Sequence, residues 1–354
     1  MIKDLSVLIP ARNEMFLART IQDLLDNIEA DTEIIAVLDG AWANPGIPQH
    51  ERVNVIYVPA SIGQRAATNL GAKIAQGKYV MKVDAHCAFD KGFDRKMLEG
   101  FEKVGDNVTM VGIMRNLWAF DWKCYRCGSR WYQGPTPTRC MKQEGNKVVP
   151  NEACPETKNI RRKMVWRSDA KPGESGYMNW KGKRSPANYS YCFDSEPHFQ
   201  YFSEYRKRPE YQEQLKTGFT ESMSLQGSCF MATREKYWEL GLSDEKVGNW
   251  GSQGIQVALA TWLSGGRVLV NHSTWYAHLF RTSGDFSFPY PQSVRVVQTT
   301  KQNVKKLFWE NKHHKQIYPV SWLVKKFWPV PGWDDESSAN LKAVEKNRKE
   351  GDIA

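Results

Sequence analysis

No stretch of this 354-residue chain approaches the ~18 consecutive apolar residues that a membrane-spanning helix requires. The opening residues, MIKDLSVLIPARNE, enter an apolar strand directly and lack the layout of a secretory leader. These two absences predict a cytoplasmic protein with no membrane span. The chain also has no G-x-G-x-x-G and no Walker A sequence, so the dinucleotide-binding and P-loop readings fail on the motif. No internal repeat is found, which leaves out repeat architectures. Cysteine is sparse, with seven residues in all, and four of them fall between Cys124 and Cys154.

What is present is an ordinary soluble composition, 41% hydrophobic and 25% charged. The length suits one large α/β domain with an insertion, or two domains. The charge is uneven. Lys and Arg number 49 against 39 Asp and Glu, a net +10, and Arg115 to Lys216 alone holds 20 basic against 11 acidic residues. A basic surface of that kind favours a polyanionic partner, nucleic acid or anionic glycan, with solubility as the plainer explanation.

Leu5 to Ile9 reads as a buried strand stopped by Pro10, and Ala11-Arg12-Asn13-Glu14 as a polar loop. Phe16, Ile21, Leu24, Leu25 and Ile28 then recur at helical spacing. Glu33 to Leu38 and Val53 to Val58 are the next strands, the first ending in Asp39-Gly40, and Ser61 to Arg65 leads into a helix through Ala75. Gly77 restarts the sheet, and Tyr79 to Val83 has the look of a strand buried in a parallel sheet. This βαβαβ alternation predicts a doubly wound, mostly parallel sheet. The last of these strands ends in Asp84-Ala85-His86, a carboxylate and an imidazole on one face if the segment stays extended. Open α/β sheets bind their ligands at that end of the strands. Alone, the pair would more often be a surface Asp beside a stray His; its place in the pattern makes it a metal-site candidate.

These segments resemble the GT-A glycosyltransferases, in particular glycosyltransferase family 2 and the polypeptide N-acetylgalactosaminyltransferases. SVLIPARNE is similar to their first strand and nucleotide loop, which implies donor contacts from Pro10, Ala11, Arg12 and Glu14. Asp39 matches the acidic residue that meets the uridine of the donor. VDAH matches the DxD or DxH metal motif, in the DxH form of the N-acetylgalactosaminyltransferases. From GSCFMATREKYW to WYAHLFR the chain is similar to the second half of that fold. There a Gly-rich strand is followed by a W-G-x-E helix and a His-containing segment before F-R. The resemblance covers residues 5–114 and 220–281 and implies a Rossmann-like GT-A fold.

A nucleotide sugar departs as a diphosphate, and a divalent cation bridging the phosphates stabilises the charge that develops. Asp84 and His86 are two candidate ligands, and the resemblance implies His278 as the third. A mixed oxygen and imidazole set, with room for phosphate and water, suits Mn2+ or Mg2+ better than a closed zinc site. Arg12 and Arg65 are candidates for phosphate oxygens, which a guanidinium can grip in bidentate fashion. Gly227-Ser228 stands where the family brings backbone close to the donor sugar, and Trp250 opens the W-G-x-E segment. Here that segment reads Trp250-Gly251-Ser252-Gln253, an amide where the family has a carboxylate. An amide cannot take a proton as a base, although it can hold a hydroxyl. Two outcomes stay open. Either Asp244 or Glu245 is the base and the reaction inverts, or the leaving phosphate takes the acceptor proton and configuration is retained. The DxH form favours retention.

Between the two family-like halves lies an insertion that opens with Cys124-Tyr-Arg-Cys127-Gly, followed by Cys140 and Cys154. CxxCG is a zinc-knuckle turn, and the four thiols predict a structural Zn2+; disulfides are the alternative, disfavoured in a cytoplasmic chain. Cys87, Cys192 and Cys229 are scattered, as buried small residues are. The insertion also interleaves basic and aromatic residues, among them Trp131, Tyr132, Arg161-Arg162-Lys163, Trp166 and Trp180. That is how proteins hold unstacked bases and phosphates, though core aromatics beside solvated lysines look the same in sequence. Arg161, Arg162, Lys163 and Trp166 are the acceptor-binding candidates. Ser293 to Trp309 is amphipathic, and Lys301, Lys305, Lys306, Lys312 and Lys315 form a second basic strip. From Asp334 the polar, charge-mixed end reads as a docking arm or a frayed tail.

The sequence thus predicts an α/β protein of GT-A type with a zinc-ribbon-like insertion. Its parts are a nucleotide-sugar-binding half at 1–118, the basic insertion on the acceptor side at 119–217, the second half at 218–290, and a basic helix and tail at 291–354. The expected activity is metal-dependent transfer of a sugar from a nucleotide-sugar, by resemblance a UDP-sugar, to a hydroxyl. The basic, aromatic insertion points to a hydroxymethylated pyrimidine in DNA as acceptor, as in virus-encoded enzymes. The resemblance itself implies a protein, peptide or cell-surface glycan. A non-catalytic nucleic-acid-binding protein with a donor fold is the third reading, and the intact DxH with a distant His argues against it.

Overall fold

A computed structural model describes residues 3–133, 137–145, 147–162, 180–281, 290 and 293–351. The first half comprises β1 (Leu5–Ala11), α1 (Leu17–Asn27), β2 (Thr32–Asp39), β3 (Val53–Val58), α2 (Gln64–Ile74), β4 (Tyr79–Val83), β5 (Cys87–Phe89), α3 (Phe93–Val104) and β6 (Val108–Trp118). Short strands follow: β7 (Asp121–Cys124), β8 (Arg130–Tyr132), β9 (Met141–Glu144), β10 (Lys147–Pro150) and β11 (Ile160–Arg162). β12 (Lys181–Asn188) returns to pair with β6, ahead of the hairpin β13 (Tyr191–Phe193) and β14 (Phe199–Tyr201) and the helix α4 (Pro209–Lys216). The second half holds β15 (Phe219–Glu221), β16 (Cys229–Thr233), α5 (Arg234–Glu239), α6 (Gln253–Leu263) and β17 (Arg267–His278). Three helices close the chain: α7 (Val294–Trp309), α8 (Val320–Phe327) and α9 (Asp335–Gly351).

The main sheet runs β15-β17-β6-β16-β4-β1-β2-β3. β1 to β4 are mutually parallel, β17 is parallel to β6, and β16 lies antiparallel between β4 and β6. β1, β2 and β4 are buried at every position because helices cover both faces. On one face Val7 and Ile9 meet Leu17, Ile21 and Leu24 of α1 and Met97 and Phe101 of α3. On the other, Leu8, Val37 and Val80 pack on α2 and on α6, a helix buried at every residue.

Two polar members of α6 are satisfied internally. Gln256 donates to Gly241 O at 3.0 Å, and Thr261 meets Thr109 at 2.7 Å. The first turn of α6 presses on the preceding loop: a Cβ on Gly254 would fall 1.9 Å from the carbonyl oxygen of Leu225, so only glycine fits.

Pro10 does not stop β1, which runs on to Ala11 beside Leu38 of β2. Pairing with β4 ends at Leu8–Lys82, so the proline lies beyond the doubly paired part of the strand. The chain leaves β1 for β2 on one side and comes back to β4 on the other. The crevice between the ends of β1 and β4 is therefore a switch point, where such sheets bind ligands.

The end of the chain differs from the expected arm or tail. α9 is helical, with Leu341 buried and Glu345 accepting a hydrogen bond from Ser321 N at 2.9 Å. Its few apolar residues left little periodic signal. α7 starts at the expected Ser293, whose hydroxyl accepts from Val296 N at 3.3 Å as an N-cap. Part of the lysine strip is paired: Lys305 with Glu196 at 2.7 Å and Lys315 with Glu239 at 3.1 Å. Among the described residues no helix is long and apolar enough to cross a membrane.

Candidate active site and cysteine cluster

A cleft of about 590 Å3 opens over the ends of β1 and β4. Pro10 and Ala11 line it from the end of β1, Arg12 and Glu14 from the loop that follows, and Asp84 and His86 from the turn after β4. Gly227, Ser228, Trp250 and Gln253 form the opposite wall, and His278 enters at the last residue of β17.

Asp84, His86 and His278 come together as expected, each with a ligand atom within 4.8 Å of the others. The two Nε2 atoms stand 3.1 Å apart, and His278 Nε2 is 3.3 Å from Asp84 Oδ2. Ligands about 2.1 Å from an octahedral ion are about 3 Å from their cis neighbours, so this spacing fits one shared cation. Burial pushes the His278 imidazole down to about 4, which keeps it neutral and able to ligate. Burial alone would raise the Asp84 carboxyl, yet Lys82 and the hydrogen bond with His278 hold it well below its ordinary value.

A second layer orients the set. His86 Nδ1 lies 3.1 Å from Glu14 Oε2, and Arg281 donates to the same oxygen. The other Glu14 oxygen accepts from Phe16 N at 3.1 Å. Burial would raise Glu14 too, but His86 and then Arg281 keep it below its usual range, as a carboxylate. Such carboxylate–imidazole contacts fix the ring and its tautomer in metal sites.

Lys82 escaped the sequence reading although it is the one charge in the run Tyr79 to Val83. Its side chain is fully buried, donating to Asp84 Oδ1 and to Gly227 O at 2.6 Å. One Asp84 oxygen is thus held by the ammonium, and Oδ2 faces the histidines. A lysine alone among apolar residues of a buried strand was the available signal. Gln64, Arg281 and Tyr290, which the sequence did not single out, also line the cleft, as does Lys301 of the second basic strip.

Other expectations fare differently. Arg65 does not reach the cleft. It is fully buried, with its guanidinium donating to Gln256 Oε1 at 3.1 Å, Gly248 O at 2.9 Å and Gly251 O at 2.8 Å. It therefore holds the loop that carries Trp250, and burial lowers its pKa to about 10. The Asp39 carboxylate accepts from Ser61 Oγ, Ile62 N and Gly63 N, at 3.0, 2.6 and 3.0 Å. Asp244 caps the turn after α5 by accepting from Lys246 N at 2.9 Å, and Glu245 bonds Asn69 Nδ2 at 2.7 Å; neither lines the cleft. Gln253 does, with Nε2 held by Ser243 Oγ at 3.1 Å and Oε1 buried without a partner among the described residues.

The four cysteines also converge. Cys127 Sγ is 3.6 Å from Cys140 Sγ, and Cys124 Sγ is 3.9 Å from Cys154 Sγ. Thiolates about 2.3 Å from a tetrahedral zinc are about 3.8 Å apart, a spacing these two pairs bracket. Gly128, at φ +76°, closes the CxxCG turn with its N–H on Cys124 O at 2.9 Å. The hairpin of β9 and β10 brings Cys140 back to Cys154 across their long gap. Hydrogen bonding with Ser129 lowers the Cys127 thiol to about 6, whereas burial raises the Cys140 thiol to about 12, so it is the spacing of the four sulfurs that supports a metal. All four are free of disulfides.

Trp131 and Trp180, read as candidate base-stacking residues, are buried in the module's own core. Arg161 and Arg162 are in β11, antiparallel to β7, and their side chains lie outside the described part. Lys163 and Trp166 lie outside the described residues.

A doubly wound sheet with an Asp/His/His set at its switch point defines the GT-A class of glycosyltransferase fold. Residues 6–154 match the model of Glycosyl transferase family 2, and the chain resembles the polypeptide N-acetylgalactosaminyltransferases in particular. It is 23% identical over 338 residues to a Drosophila melanogaster polypeptide N-acetylgalactosaminyltransferase 13, covering 90% of this chain and 48% of that one. Human N-acetylgalactosaminyltransferase 7 is 27% identical over 124 residues, 32% of this chain and 19% of that one. A crystal structure of GalNAc-T7 with UDP, GalNAc and Mn2+ superposes with a TM-score of 0.56 at 18% identity, over 98% of this chain and 55% of that chain. The chain thus spans about half the length, or less, of these relatives.

Proposed function

We propose that the protein transfers a sugar from a UDP-sugar to a hydroxyl of a polypeptide, with Mn2+ or Mg2+ held by Asp84, His86 and His278. The observation that carries the reading is the convergence of these three side chains at the switch point, with ligand atoms at octahedral spacing. When bound there, the cation stabilises the charge that gathers on the departing diphosphate. Glu14 holds the His86 ring, and Arg281 locks Glu14. Arg12 and Lys301 face the same cleft and supply positive charge for phosphate oxygens. Gln253 lines the cleft with Oε1 unpartnered among the described residues, which supports a role in holding a hydroxyl there. The nucleotide, the cation and the polypeptide acceptor are supported by what the related proteins are named for and by the ligands of the GalNAc-T7 structure.

Among the described residues lining the cleft the carboxylates are Glu14 and Asp84, and both are engaged. That supports retention, in which the leaving phosphate takes the acceptor proton. A structural zinc in the four cysteines completes the reading. The relatives described above are named as N-acetylgalactosaminyltransferases, which supports the polypeptide acceptor over hydroxymethylated DNA.

The test presents purified protein and Mn2+ with a panel of UDP-sugars, UDP-GalNAc included, and with serine- and threonine-containing peptides or hydroxymethylated DNA. Peptide glycosylation in the wild type, abolished with Mn2+ binding in Asp84→Ala, is expected. Metal-independent transfer would overturn the cation assignment, and transfer to DNA alone would overturn the polypeptide acceptor.

A further inference from the structure

We infer that the cysteine module is a positioning element for the cation site: a zinc ion in Cys124, Cys127, Cys140 and Cys154 holds an aromatic plug against the backbone that presents His278 and Glu14. The inference rests on the zinc and cation readings above and goes beyond both, because it joins two sites that the sequence separates.

The module cannot hold itself by burial. β7 to β11 are three or four residues long, and β9 and β10 have no buried residue. Ribbons of that size are marginal in water without a cross-link or a metal. Yet the thiols of Cys124, Cys140 and Cys154 are buried in one apolar cluster with Trp122, Trp131 and Trp180. Closing four thiolates on one ion fixes β7, the CxxCG turn and the β9–β10 hairpin relative to one another. The tryptophans between them are then held as a unit.

The far side of that cluster is the active-site backbone. Phe16, Ala277 and Leu279 belong to it, and Ala277 and Leu279 flank His278. Leu279 N donates to His86 O at 3.1 Å, so the same segment fixes both histidines. The Phe16 and Trp180 rings are 5.8 Å apart, and Phe16 N holds Glu14. Just after Trp180, β12 pairs with Leu117 and Trp118 of β6, and β6 pairs with β17 as far as His278–Asn116.

Packing matters here because His278 has no second tether among the described residues. Metal-ligating histidines are oriented by a hydrogen bond from the second ring nitrogen. His278 Nδ1 is buried with no partner among the described residues. Its ring is set by its neighbours, Phe280 at 4.6 Å and His86 at 4.8 Å between ring centres, and by the strand the plug supports. Loss of the plug frees that ring.

The experiment measures Zn content by elemental analysis and Mn2+ affinity by electron paramagnetic resonance, on the full chain as purified. It then repeats both after zinc is released with a thiol-directed reagent and after zinc is restored. About one zinc per chain is expected, with Mn2+ affinity falling about 10- to 100-fold on release, as when an orienting partner is lost, and recovering on restoration. Cobalt taken up in place of zinc should show the absorption of a tetrahedral tetrathiolate.

A Trp180→Leu variant covers the case in which the zinc-free chain unfolds: it should keep its zinc and still bind Mn2+ more weakly. Unchanged Mn2+ affinity in both the zinc-free protein and Trp180→Leu would overturn the coupling while leaving both metal readings standing. Absence of zinc, or disulfides among the four cysteines, would overturn the zinc reading and the coupling with it. A zinc-loaded wild type that binds no Mn2+ would instead sink the cation reading.

Discussion

Replacing Lys82 with methionine tests the charge balance beneath the cation site. Methionine keeps most of the volume and rotamer freedom of lysine, so the strand stays filled while the ammonium is lost. The side chain is wholly buried, and its Nζ serves both Asp84 and Gly227 O. Its removal leaves the Asp84 carboxylate facing the His86 and His278 rings without the ammonium, and leaves Gly227 O without this donor.

Breaking a buried pair from one side costs about 3–5 kcal/mol. Asp84 keeps 21% of its side-chain exposure and its contact with His278, so the lower end, about 3 kcal/mol, is expected. At about 2 °C per kcal/mol, as for the larger domains, the midpoint of thermal unfolding should fall by roughly 6 °C in manganese-free buffer.

Added Mn2+ puts positive charge back beside Asp84. The midpoint should therefore rise further on Mn2+ addition in the variant than in the wild type. The assay is a pair of melts for each protein, run without chelator so that the cysteine site is untouched. An equal Mn2+-induced rise in both proteins, or a variant as stable as the wild type without metal, would refute the reasoning.

Two further outcomes follow from buried groups. Arg65→Met strips donors from Gly248 O and Gly251 O, so stability should drop by about 2 kcal/mol or more and UDP-sugar affinity should fall as the Trp250 loop loosens. Denaturation and calorimetric binding check both, and wild-type donor affinity would show that the loop does not need the arginine. His272 is held down to about 4 by burial, with Arg206 adding to the effect. Between about 4 and 6.5 the unfolded chain binds a proton there that the native chain does not, so stability contributed by His272 is lost as pH falls through that window. Buried Asp23, raised to about 7, titrates in the opposite sense, so the informative quantity is the difference between wild type and His272→Gln. The slope of stability against pH should be lower in the variant than in the wild type by up to one proton in that window, measured by denaturant unfolding at several pH values. Parallel curves would contradict the assignment.

Much of the donor half was legible in the sequence because its strands are buried on both faces. Largely apolar runs such as Tyr79 to Val83 and Glu33 to Leu38 announce themselves, and the order of strands and helices places Asp84-x-His86 at the switch point. The CxxCG turn was legible because its backbone geometry is complete within five residues.

What the sequence could not settle were matters of direction and distance in space. Only the fold placed His278 Nε2 3.1 Å from His86 Nε2, across 192 positions of chain. Periodicity cannot tell a guanidinium facing a phosphate from one buried under a loop, and Arg65 turned out to be the second. Nor can it tell a stacking tryptophan from a core one, and Trp131 and Trp180 are core. Lys82 was hidden in an apolar run because a buried charge is tolerable only where a partner meets it. Its second partner, Gly227, lies 145 positions away and is brought there by the antiparallel pairing of β16 with β4. Local sequence determines which segments become strands and helices, because backbone propensity and side-chain period act over a few residues. The pairing of buried charges and metal ligands is decided only by tertiary packing, because it requires groups from distant segments to share one desolvated volume.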